Sequence, residues 1–444
     1  MADLSMDMCG IKSPNPFWLA SAPPANSGEQ VMRAFDAGWG GAVWKTLGEP
    51  IVNVSSRFGS IDYQGSRIAG FNNIELITDR PLETNFKEIA EVKKKYPKHA
   101  VVVSLMVETK EEWRDIIKRS EDAGADGLEL NFGCPHGMCE RGMGSSVGQE
   151  PSVLERITSW VMEYANVPVL VKLTPNIGDI LDPGRAAVRG GADGLSLINT
   201  IKSLMGVDLD RMVPMPRVGD ASTNGGYCGP AVKPIALHMV AALARDPKVK
   251  IPISGIGGIS NWRDAAEFMA LGATTVQVCT AVMHYGYRIV EDMIDGLSRF
   301  LDERGLARAN QLVGMAIPNY LEWGQLDLNY RVVADINAET CIGCQLCYVA
   351  CQDGAHQCIH LGTTPCQAYH GAHDHAQSVR LLEDPVAHDP LHAHKPRVPW
   401  VDEDECVGCN LCALVCPVEG CITMREIPHD AGRESWNERV AKSR

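Results

Sequence analysis

The sequence lacks several features that would place it in other classes of protein. No apolar run is long enough to cross a bilayer, and no basic segment followed by an apolar core marks a signal peptide at the N-terminus. Lys and Arg (41) are outnumbered by Asp and Glu (55), and the formal charge of −14 argues against a nucleic-acid partner. No Gly-x-Gly-x-x-Gly run follows a strand, so no dinucleotide-binding domain is predicted.

Cysteine, in contrast, is abundant. Sixteen cysteines without an export signal predict a cytoplasmic protein that uses thiols for metals or catalysis and not for disulfides. The spacing Cys-x2-Cys-x2-Cys-x3-Cys occurs twice and is the run of bacterial two-cluster ferredoxins. Zinc knuckles are the alternative, but they leave the fourth cysteine of each run unexplained. The two runs are Cys341, Cys344, Cys347, Cys351 and Cys406, Cys409, Cys412, Cys416.

Apolar, β-branched runs alternate with helical patterns over about the first 300 residues. Eight such runs with helical crossovers predict parallel strands that are buried on both faces. Gly38, Gly124, Gly191 and Gly272 each follow a predicted helix directly before a strand, where a left-handed residue closes the helix. We therefore predict an α/β protein with a (β/α)8 TIM barrel, and a doubly wound sheet is the alternative. The predicted strands are 17–21, 42–46, 101–106, 127–131, 167–173, 194–199, 251–255 and 274–279.

The predicted organisation has two domains. The barrel is expected over residues 1–315, a linker over 316–330, and a small α+β ferredoxin-like domain with two clusters over 331–427. Within that domain, residues 362–394 form an insert with six histidines, which is expected to be a loop and has metal binding as the alternative. Residues 428–444 are expected to form a polar tail.

Polar side chains stand at the C-terminal ends of the predicted strands, where barrels of this fold have their active sites. Two of them are lysines, and a partly buried ammonium needs an anionic or electron-rich partner. A flavin meets this need, because a lysine near N1 and O2 stabilises the anionic reduced ring. The alternative is that both lysines reach solvent. The polar set is Ser21, Lys45, Asn131, Lys172, Asn199 and Thr200.

Glycine-rich segments follow the seventh and eighth strands, where this fold commonly binds phosphate. Glycines there let backbone N–H groups approach a phosphate, and the start of a short helix adds a favourable dipole. The segments are Ser254-Gly255-Ile256-Gly257-Gly258 and Cys279-Thr280-Ala281, with a further amide expected from Gly225-Gly226-Tyr227-Cys228-Gly229.

The loop after the fourth strand contains the candidate acid/base. Five glycines between Gly133 and Gly148 predict a flexible lid. Cys134 lies closest to the strand end, and an ordinary thiol pKa of about 8.5 lets such a group donate or accept a proton. Cys139 is the competitor further along the loop, and an inert buried cysteine is the alternative for either.

These motifs together resemble dihydropyrimidine dehydrogenase, most closely the catalytic subunit of the bacterial NAD-dependent enzyme. The resemblance covers nearly the whole chain, whereas the more distant dihydroorotate dehydrogenase shares only the barrel and FMN. The motifs are Asn131-Phe132-Gly133-Cys134-Pro135-His136-Gly137-Met138, Glu140-Arg141-Gly142-Met143-Gly144, Asn73-Ile74-Glu75, Lys172-Leu173-Thr174-Pro175-Asn176 and Asn199-Thr200.

The resemblance implies the reduction of uracil and thymine to 5,6-dihydropyrimidines. Hydride passes from N5 of FMN to C6, while the Cys134 thiol delivers a proton to C5 from the opposite face. The implied FMN ligands are Ser21, Lys45, Thr46, Lys172, Gly229, Ile256, Gly257, Gly258, Cys279 and Thr280. The implied pyrimidine ligands are Asn73, Glu75, Asn131, Phe132, Gly133, Asn199 and Thr200, whose amides and carboxylate match the donors and acceptors of the ring.

The resemblance also implies how electrons arrive. The chain has no NADPH or FAD domain of the kind found in the animal enzyme, so a separate subunit with FAD and an NAD(H) site is expected, in a heterotetramer of two copies of each. Gln352 departs from the ferredoxin pattern, which has proline there. One [4Fe–4S] cluster is expected on Cys341, Cys344, Cys347 and Cys416, and the other on Cys406, Cys409, Cys412 and Cys351.

Two other functions stay open. A ferredoxin-linked dihydroorotate dehydrogenase needs an extra cation for the carboxylate of orotate, and no spare lysine or arginine stands beside the amides. A non-catalytic electron-transfer subunit with a relic barrel is the other, and it predicts a barrel without flavin.

Overall fold

The computed structural model describes residues 2–48, 58–63, 66–135, 137, 141–361, 398–428 and 431–443. The chain divides into two compact units, Met1–Tyr320 and Leu321–Arg444. This division falls within residues 316–330, where we expect a linker. The histidine-bearing insert at 362–394 lies outside the described residues, and so do residues 136 and 138–140 of the expected lid.

The first unit is a closed barrel of eight parallel strands, and a helix follows each strand along the chain. The last strand pairs with the first, so the sheet has no open edge and the doubly wound alternative is excluded. The strands are β1 Phe17–Leu19, β2 Gly41–Leu47, β3 Ala100–Leu105, β4 Gly127–Asn131, β5 Val169–Lys172, β6 Gly194–Leu197, β7 Ile253–Ile256 and β8 Ala273–Val278. The helices are α1 Gly28–Ala37, α2 Leu82–Lys95, α3 Lys110–Asp122, α4 Pro151–Tyr164, α5 Leu181–Arg189, α6 Lys233–Arg245, α7 Trp262–Ala270 and α8 Ile289–Glu303.

The barrel forms because its strands are apolar on both faces and its helices on one. Every residue of β2 and β3 is buried, as expected for strands between a filled barrel and an outer ring of helices. Helix α3 buries Trp113, Ile116 and Ile117 on one stripe and begins with a capping box. The predicted helix-closing glycines all have positive φ, at +116° for Gly38, +89° for Gly124, +95° for Gly191 and +109° for Gly272. The predicted barrel is confirmed.

A four-stranded antiparallel sheet is built from two excursions, one after β2 and one after β6. Its order is Ile201–Ser203, Gly225–Cys228, Ser66–Asn73 and Phe58–Tyr63, with Gly226 opposite Asn73. The sequence pattern does not predict this sheet, because its strands are short and come from segments far apart in the chain. Two further hairpins in the second excursion pair Gly206–Asp208 with Val213–Met215 and Arg217–Val218 with Ala221–Ser222.

Smaller elements complete the first unit. The hairpin Met6–Met8 and Ile11–Ser13 covers the N-terminal end of the barrel, where Met8 and Ile11 pack with Trp18. Short helices are Ser145–Gly148 and Thr280–Tyr285, and 3-10 turns are Pro23–Ala25, Pro230–Val232, Ala309–Leu312 and Ile317–Asn319.

The second unit is a small α+β domain. Val332–Ile336 pairs antiparallel with Ile422–Glu426, and Ile359–His360 pairs with Trp400–Val401. The helix Leu346–Gly354 begins inside the first cysteine run, and the helix Leu411–Leu414 lies inside the second. Trp323–Gln325 is a 3-10 turn. The stretch expected as a polar tail contains the helix Trp436–Lys442, which starts with a capping box from Ser435 and Glu438. No helix formed by the described residues combines the length and the apolar character that crossing a membrane requires.

Candidate active site

A large cavity opens at the C-terminal ends of the barrel strands. Its volume is about 1120 Å³ counted to the open mouth, and its lining comes from seven strand ends and from the antiparallel sheet. Clefts of this kind, largely apolar with a few converging polar groups, are where proteins bind small ligands and cofactors, so this cavity is the candidate site.

The structure brings 16 of the 18 predicted barrel-site residues to this cavity. Cys134, all ten predicted FMN ligands and five predicted pyrimidine ligands line it. Phe132 and Gly133 do not. The Phe132 ring packs edge-on against Trp113, with 6.2 Å between ring centroids, and a side chain at Gly133 would collide with Asn199. The roles of these two residues in substrate binding stay predictions.

Both lysines are buried and face carboxylates, not solvent. Lys45 Nζ lies 2.7 Å from Glu75 Oε1, and Lys172 Nζ lies 3.2 Å from Glu129 Oε1. The lysines are 4% and 5% exposed, so the solvent-reaching alternative is wrong. Glu75 itself lines the cavity, whereas Glu129 lies below it inside the barrel.

Hydrogen bonds between side chains fix the floor of the cavity. Asn131 Nδ2 donates to Thr46 Oγ1 at 3.0 Å, and Asn199 Nδ2 donates to Asn131 Oδ1 at 2.9 Å. This series of hydrogen bonds extends at one end to Ser21 Oγ, which lies 3.2 Å from Thr46 Oγ1. At the other end, the backbone N–H of Thr200 donates to Asn199 Oδ1 at 2.8 Å. Because each amide is held by its neighbours, its free donors and acceptors are oriented before a ligand arrives.

Cys134 lies at the edge of this floor in apolar surroundings. Its side chain is 8% exposed and clusters with Ile77, Met106 and Met143. The backbone N–H of Ser145 donates to the Cys134 carbonyl at 2.9 Å, which ties the far end of the loop back to the strand. The thiol therefore borders the cavity but is sheltered from bulk water. The competitor Cys139 lies outside the described residues.

The predicted phosphate-binding segments meet at one side of the cavity. Gly229, Gly257 and Gly258 have φ of +90°, +132° and +74°, which side chains rarely adopt. A Cβ at Gly258 would lie 2.7 Å from the Gly229 carbonyl, and one at Gly229 would lie 3.5 Å from Thr280 Cγ2. The three segments thus form one glycine-lined cradle, which added side chains would fill.

Two other thiols line the cavity but have the character of packing residues. Burial raises the pKa of Cys228 to about 11, and burial also raises the pKa of Cys279. Thr280 Oγ1 donates to Cys228 Sγ at 3.2 Å. Both thiols are therefore protonated near neutral pH and are poor nucleophiles.

Sequence reasoning misses two buried polar residues and two aromatic ones. Glu129 and Gln277 each interrupt an apolar strand, and that interruption is the signal that identifies them. Phe71 and Tyr227 line the cavity from the antiparallel sheet, and no periodicity points to them.

The polar groups that line the cavity fit both parts of FMN, the flavin ring and the phosphate. Glu129 Oε1 and Gln277 Oε1 are buried without a hydrogen-bond partner among the described residues, and Gln277 lines the cavity, so an acceptor is available for a ring N–H. Two ammonium groups suit an electron-rich ring, and the glycine cradle suits a phosphate. These residues would hold FMN with its ring over the strand ends and its phosphate in the cradle.

In the second unit, the eight cysteines line two separate pockets. One pocket is lined by Cys341, Cys344, Cys347 and Cys416 together with Cys421, and the other by Cys351, Cys406, Cys409 and Cys412 together with Cys358. This grouping is that of the crossed ligand sets. Among the described residues, no three His, Cys, Asp or Glu side chains converge on a site for one ion.

The two cysteine runs share one backbone path. Gly343 and Gly408 have φ of +67° and +66°, and the residues two positions on, Gln345 and Asn410, have φ of +63° and +69°. Backbone N–H groups also donate to the sulfurs, from Gly343 to Cys341 at 3.5 Å and from Ala334 to Cys406 at 3.4 Å. Such donors tune the potential of an iron–sulfur cluster, and the duplicated path suits two equal clusters.

Comparisons with known proteins agree with both units. Residues 3–301 match the dihydroorotate dehydrogenase family, and residues 383–424 match a 4Fe-4S dicluster domain. The NAD-dependent dihydropyrimidine dehydrogenase subunit PreA of Escherichia coli K12 is 41% identical over 97% of this chain and 98% of its own length. The chloroplastic NADP(+) dihydropyrimidine dehydrogenase of Arabidopsis thaliana is 42% identical over 71% of this chain and 77% of its own.

A third relative also matches 71% of the chain. The catalytic subunit of dihydroorotate dehydrogenase B (NAD(+)) from Pyrococcus horikoshii is 34% identical over 71% of this chain and 98% of its own length. The family implies FMN in the barrel, and the dicluster domain implies iron–sulfur clusters. The chain thus joins a barrel of the dihydroorotate dehydrogenase family to a 4Fe-4S dicluster domain, and over 97% of its length it belongs with the NAD-dependent dihydropyrimidine dehydrogenase subunits, which are oxidoreductases.

Proposed function

We propose that this chain reduces uracil and thymine to their 5,6-dihydro forms, with FMN in the barrel and two [4Fe–4S] clusters in the second unit. The observation that carries the proposal is a sheltered thiol, Cys134, beside a floor of oriented amides in a cavity that fits a flavin. Electrons come from a separate FAD-containing subunit that oxidises NADH, as the subunit name of the Escherichia coli relative supports.

The amide floor provides recognition of the pyrimidine. Uracil presents N–H donors and C=O acceptors in alternation, and the side-chain amides of Asn73, Asn131 and Asn199 carry groups that can pair with them. Glu75 adds an acceptor, and its partner Lys45 adds a donor. A base that lacked one of these groups would leave a buried polar atom unpaired, at a cost of about 1–3 kcal/mol per atom.

FMN, when bound, supplies the hydride for C6 of the pyrimidine. Cys134 supplies the proton for C5, so that two hydrogens are added across the 5,6 double bond, and the resulting thiolate regains a proton from solvent. The apolar contacts of Cys134 with Ile77, Met106 and Met143 keep competing water away from the proton-transfer step. Lys45 and Lys172 place positive charge at the cavity floor, where negative charge on a reduced ring is stabilised.

The charges of the cavity favour a neutral base over orotate. Among the described residues that line it, the cations are Lys45 and Lys172, and each already faces a carboxylate. The orotate carboxylate would lack a cation of its own and would approach Glu75. This supports pyrimidine reduction over dihydroorotate oxidation.

The test uses the purified full-length chain and does not need the partner subunit. The flavin is reduced anaerobically with dithionite, and the protein is mixed with uracil, thymine or orotate while flavin absorbance is followed. Uracil and thymine should reoxidise the flavin and yield dihydropyrimidines by mass spectrometry, and orotate should not. A chain that holds no flavin, or that reoxidises only with orotate, would overturn the proposal.

Replacement of Cys134 by Ala should slow reoxidation by uracil about 10²–10⁴-fold, the range typical of a lost general acid. The flavin spectrum and the binding of uracil should persist, because alanine leaves the amide floor in place. Cys9→Ser is the matched control, since Cys9 lies in the hairpin at the opposite end of the barrel. Full turnover in Cys134→Ala would remove this residue from the acid/base role.

A further inference from the structure

A buried ionic layer lies inside the barrel below the cavity floor. Glu129 on β4 is fully buried and does not line the cavity. Its Oε2 accepts hydrogen bonds from Ser196 Oγ at 2.8 Å and from Gln277 Nε2 at 2.9 Å. Its Oε1 has no hydrogen-bond donor among the described residues and lies 3.2 Å from Lys172 Nζ, so that contact is an ion pair without hydrogen-bond geometry.

We propose that Glu129 is a positioning residue that sets the reduction potential of the flavin through Lys172, a proposal that rests on the proposed function. Lys172 is the member of the pair that lines the cavity, and Glu129 lies behind it. The carboxylate offsets part of the ammonium charge felt by the ring, and it does so strongly because the surroundings are of low dielectric. Glu129 thereby keeps reduced FMN from being over-stabilised and preserves it as a hydride donor.

The two lysine–carboxylate pairs of the site are not equivalent. Glu75 lines the cavity and has a side chain that is 17% exposed, so a substrate can change its environment. Glu129 has a fully buried side chain that is held by two neutral donors. The Lys172–Glu129 pair is therefore a fixed component of the electric field at the cavity floor, and the Lys45–Glu75 pair is the one that a bound substrate could contact through both of its members.

The test compares the two-electron FMN potential of the full-length holoprotein in a set of variants, by equilibrium reduction against dyes. Glu129→Gln keeps an oxygen acceptor for Ser196 and Gln277 but removes the charge, and it should raise the potential. Each tenfold gain in affinity for reduced over oxidised FMN corresponds to about 30 mV for a two-electron couple. Glu129→Asp, which keeps the charge, should stay close to the wild type.

Controls separate charge from structure. Glu155→Gln removes the same charge from an ion pair with Arg189 on the outside of the barrel, and it should leave the potential unchanged. Should Glu129→Gln fail to fold, the double variant E129Q/K172M avoids a lone buried charge. Its potential should fall below that of the wild type, because the net positive field of Lys172 is gone.

Three outcomes would overturn the inference: an unshifted or lowered potential in Glu129→Gln, an equal shift in Glu129→Asp, or a raised potential in E129Q/K172M. A wild-type chain that holds no FMN would instead refute the proposed function. A flavin-loaded chain whose potential ignores Glu129 would refute only this inference.

Discussion

At the scale of single residues, burial decides which ionisable groups are available for chemistry. Cys9, Cys228 and Cys279 have raised pKa values because their thiols are desolvated, with about 12 for Cys9 and about 11 for Cys228. They remain neutral under physiological conditions. The side chains proposed to act are those whose surroundings give them a partner, such as Lys45 beside Glu75 and Asn199 beside Asn131.

Half-buried His99 predicts a pH dependence of stability that is separate from catalysis. It precedes β3, stacks on Phe35 with ring centroids 4.6 Å apart, and its Nδ1 has no hydrogen-bond partner among the described residues. Burial lowers the pKa of His99, and the charge of Lys93 lowers it further. The unfolded chain takes up a proton near the ordinary histidine pKa of about 6.5, whereas the folded chain resists it, so stability is full above that pH and falls as pH drops below it.

His99→Phe keeps the ring stack and removes the titration. The fall in the free energy of unfolding between about pH 7 and pH 5 should therefore be shallower in this variant than in the wild type, as measured by urea unfolding at each pH. Flavin reoxidation by uracil should be unaffected, since His99 lies at the opposite end of the barrel from the cavity. Identical slopes in the two proteins would contradict the prediction.

At the scale of elements, the site depends on where strands end and on which loops can approach each other. The eight strands place their C-terminal residues in one ring, but the cradle exists only because Gly229, Gly257 and Gly258 adopt backbone conformations closed to side chains. The apolar runs of the strands predict the ring. The antiparallel sheet that completes the cavity follows from pairing between residues such as Asn73 and Gly226, which sequence periodicity does not reveal.

Gly258→Ala should weaken the binding of FMN about tenfold or more. A Cβ there would lie 2.7 Å from the Gly229 carbonyl and 2.9 Å from Lys233 Cβ, so the cradle must shift. In addition, an alanine in the left-handed backbone region costs about 1–2 kcal/mol. The measurement is the dissociation constant of FMN for the deflavinated protein. Gly305→Ala is the matched control, because Gly305 has φ of +69° with nothing within 4 Å of an added Cβ, so it bears the backbone strain alone. Equal FMN affinity in the two variants would contradict the prediction.

At the scale of the whole molecule, the chain joins a barrel of the dihydroorotate dehydrogenase family to a 4Fe-4S dicluster domain, and the two compact units divide after Tyr320. Cysteines from both runs line each of the two pockets, so we expect the second unit to bind its clusters as a single cooperative body. Loss of the fourth cysteine of one run should therefore damage the cluster that is held by the first three cysteines of the other run.

Cys351→Ser and Cys409→Ser should lose the same cluster, and Cys416→Ser and Cys344→Ser should lose the other. Each variant should retain about four of about eight iron atoms, and the two pairs should differ in the electron paramagnetic resonance signal that survives dithionite reduction. The four variants serve as controls for one another. A Cys351→Ser protein with the spectrum of Cys344→Ser would show that the runs bind their clusters without crossing.

The sequence by itself determined the eight strands, the closing glycines and the two cysteine runs, because each depends on local periodicity, turn chemistry or spacing. It also indicated the polar strand ends, since Lys45 and Lys172 interrupt otherwise apolar patterns. Only the tertiary structure decided that Glu129 stands behind Lys172 and that Phe132 turns away from the cavity. These placements depend on the closure of the barrel and on contacts between residues far apart in the chain, which no local pattern encodes.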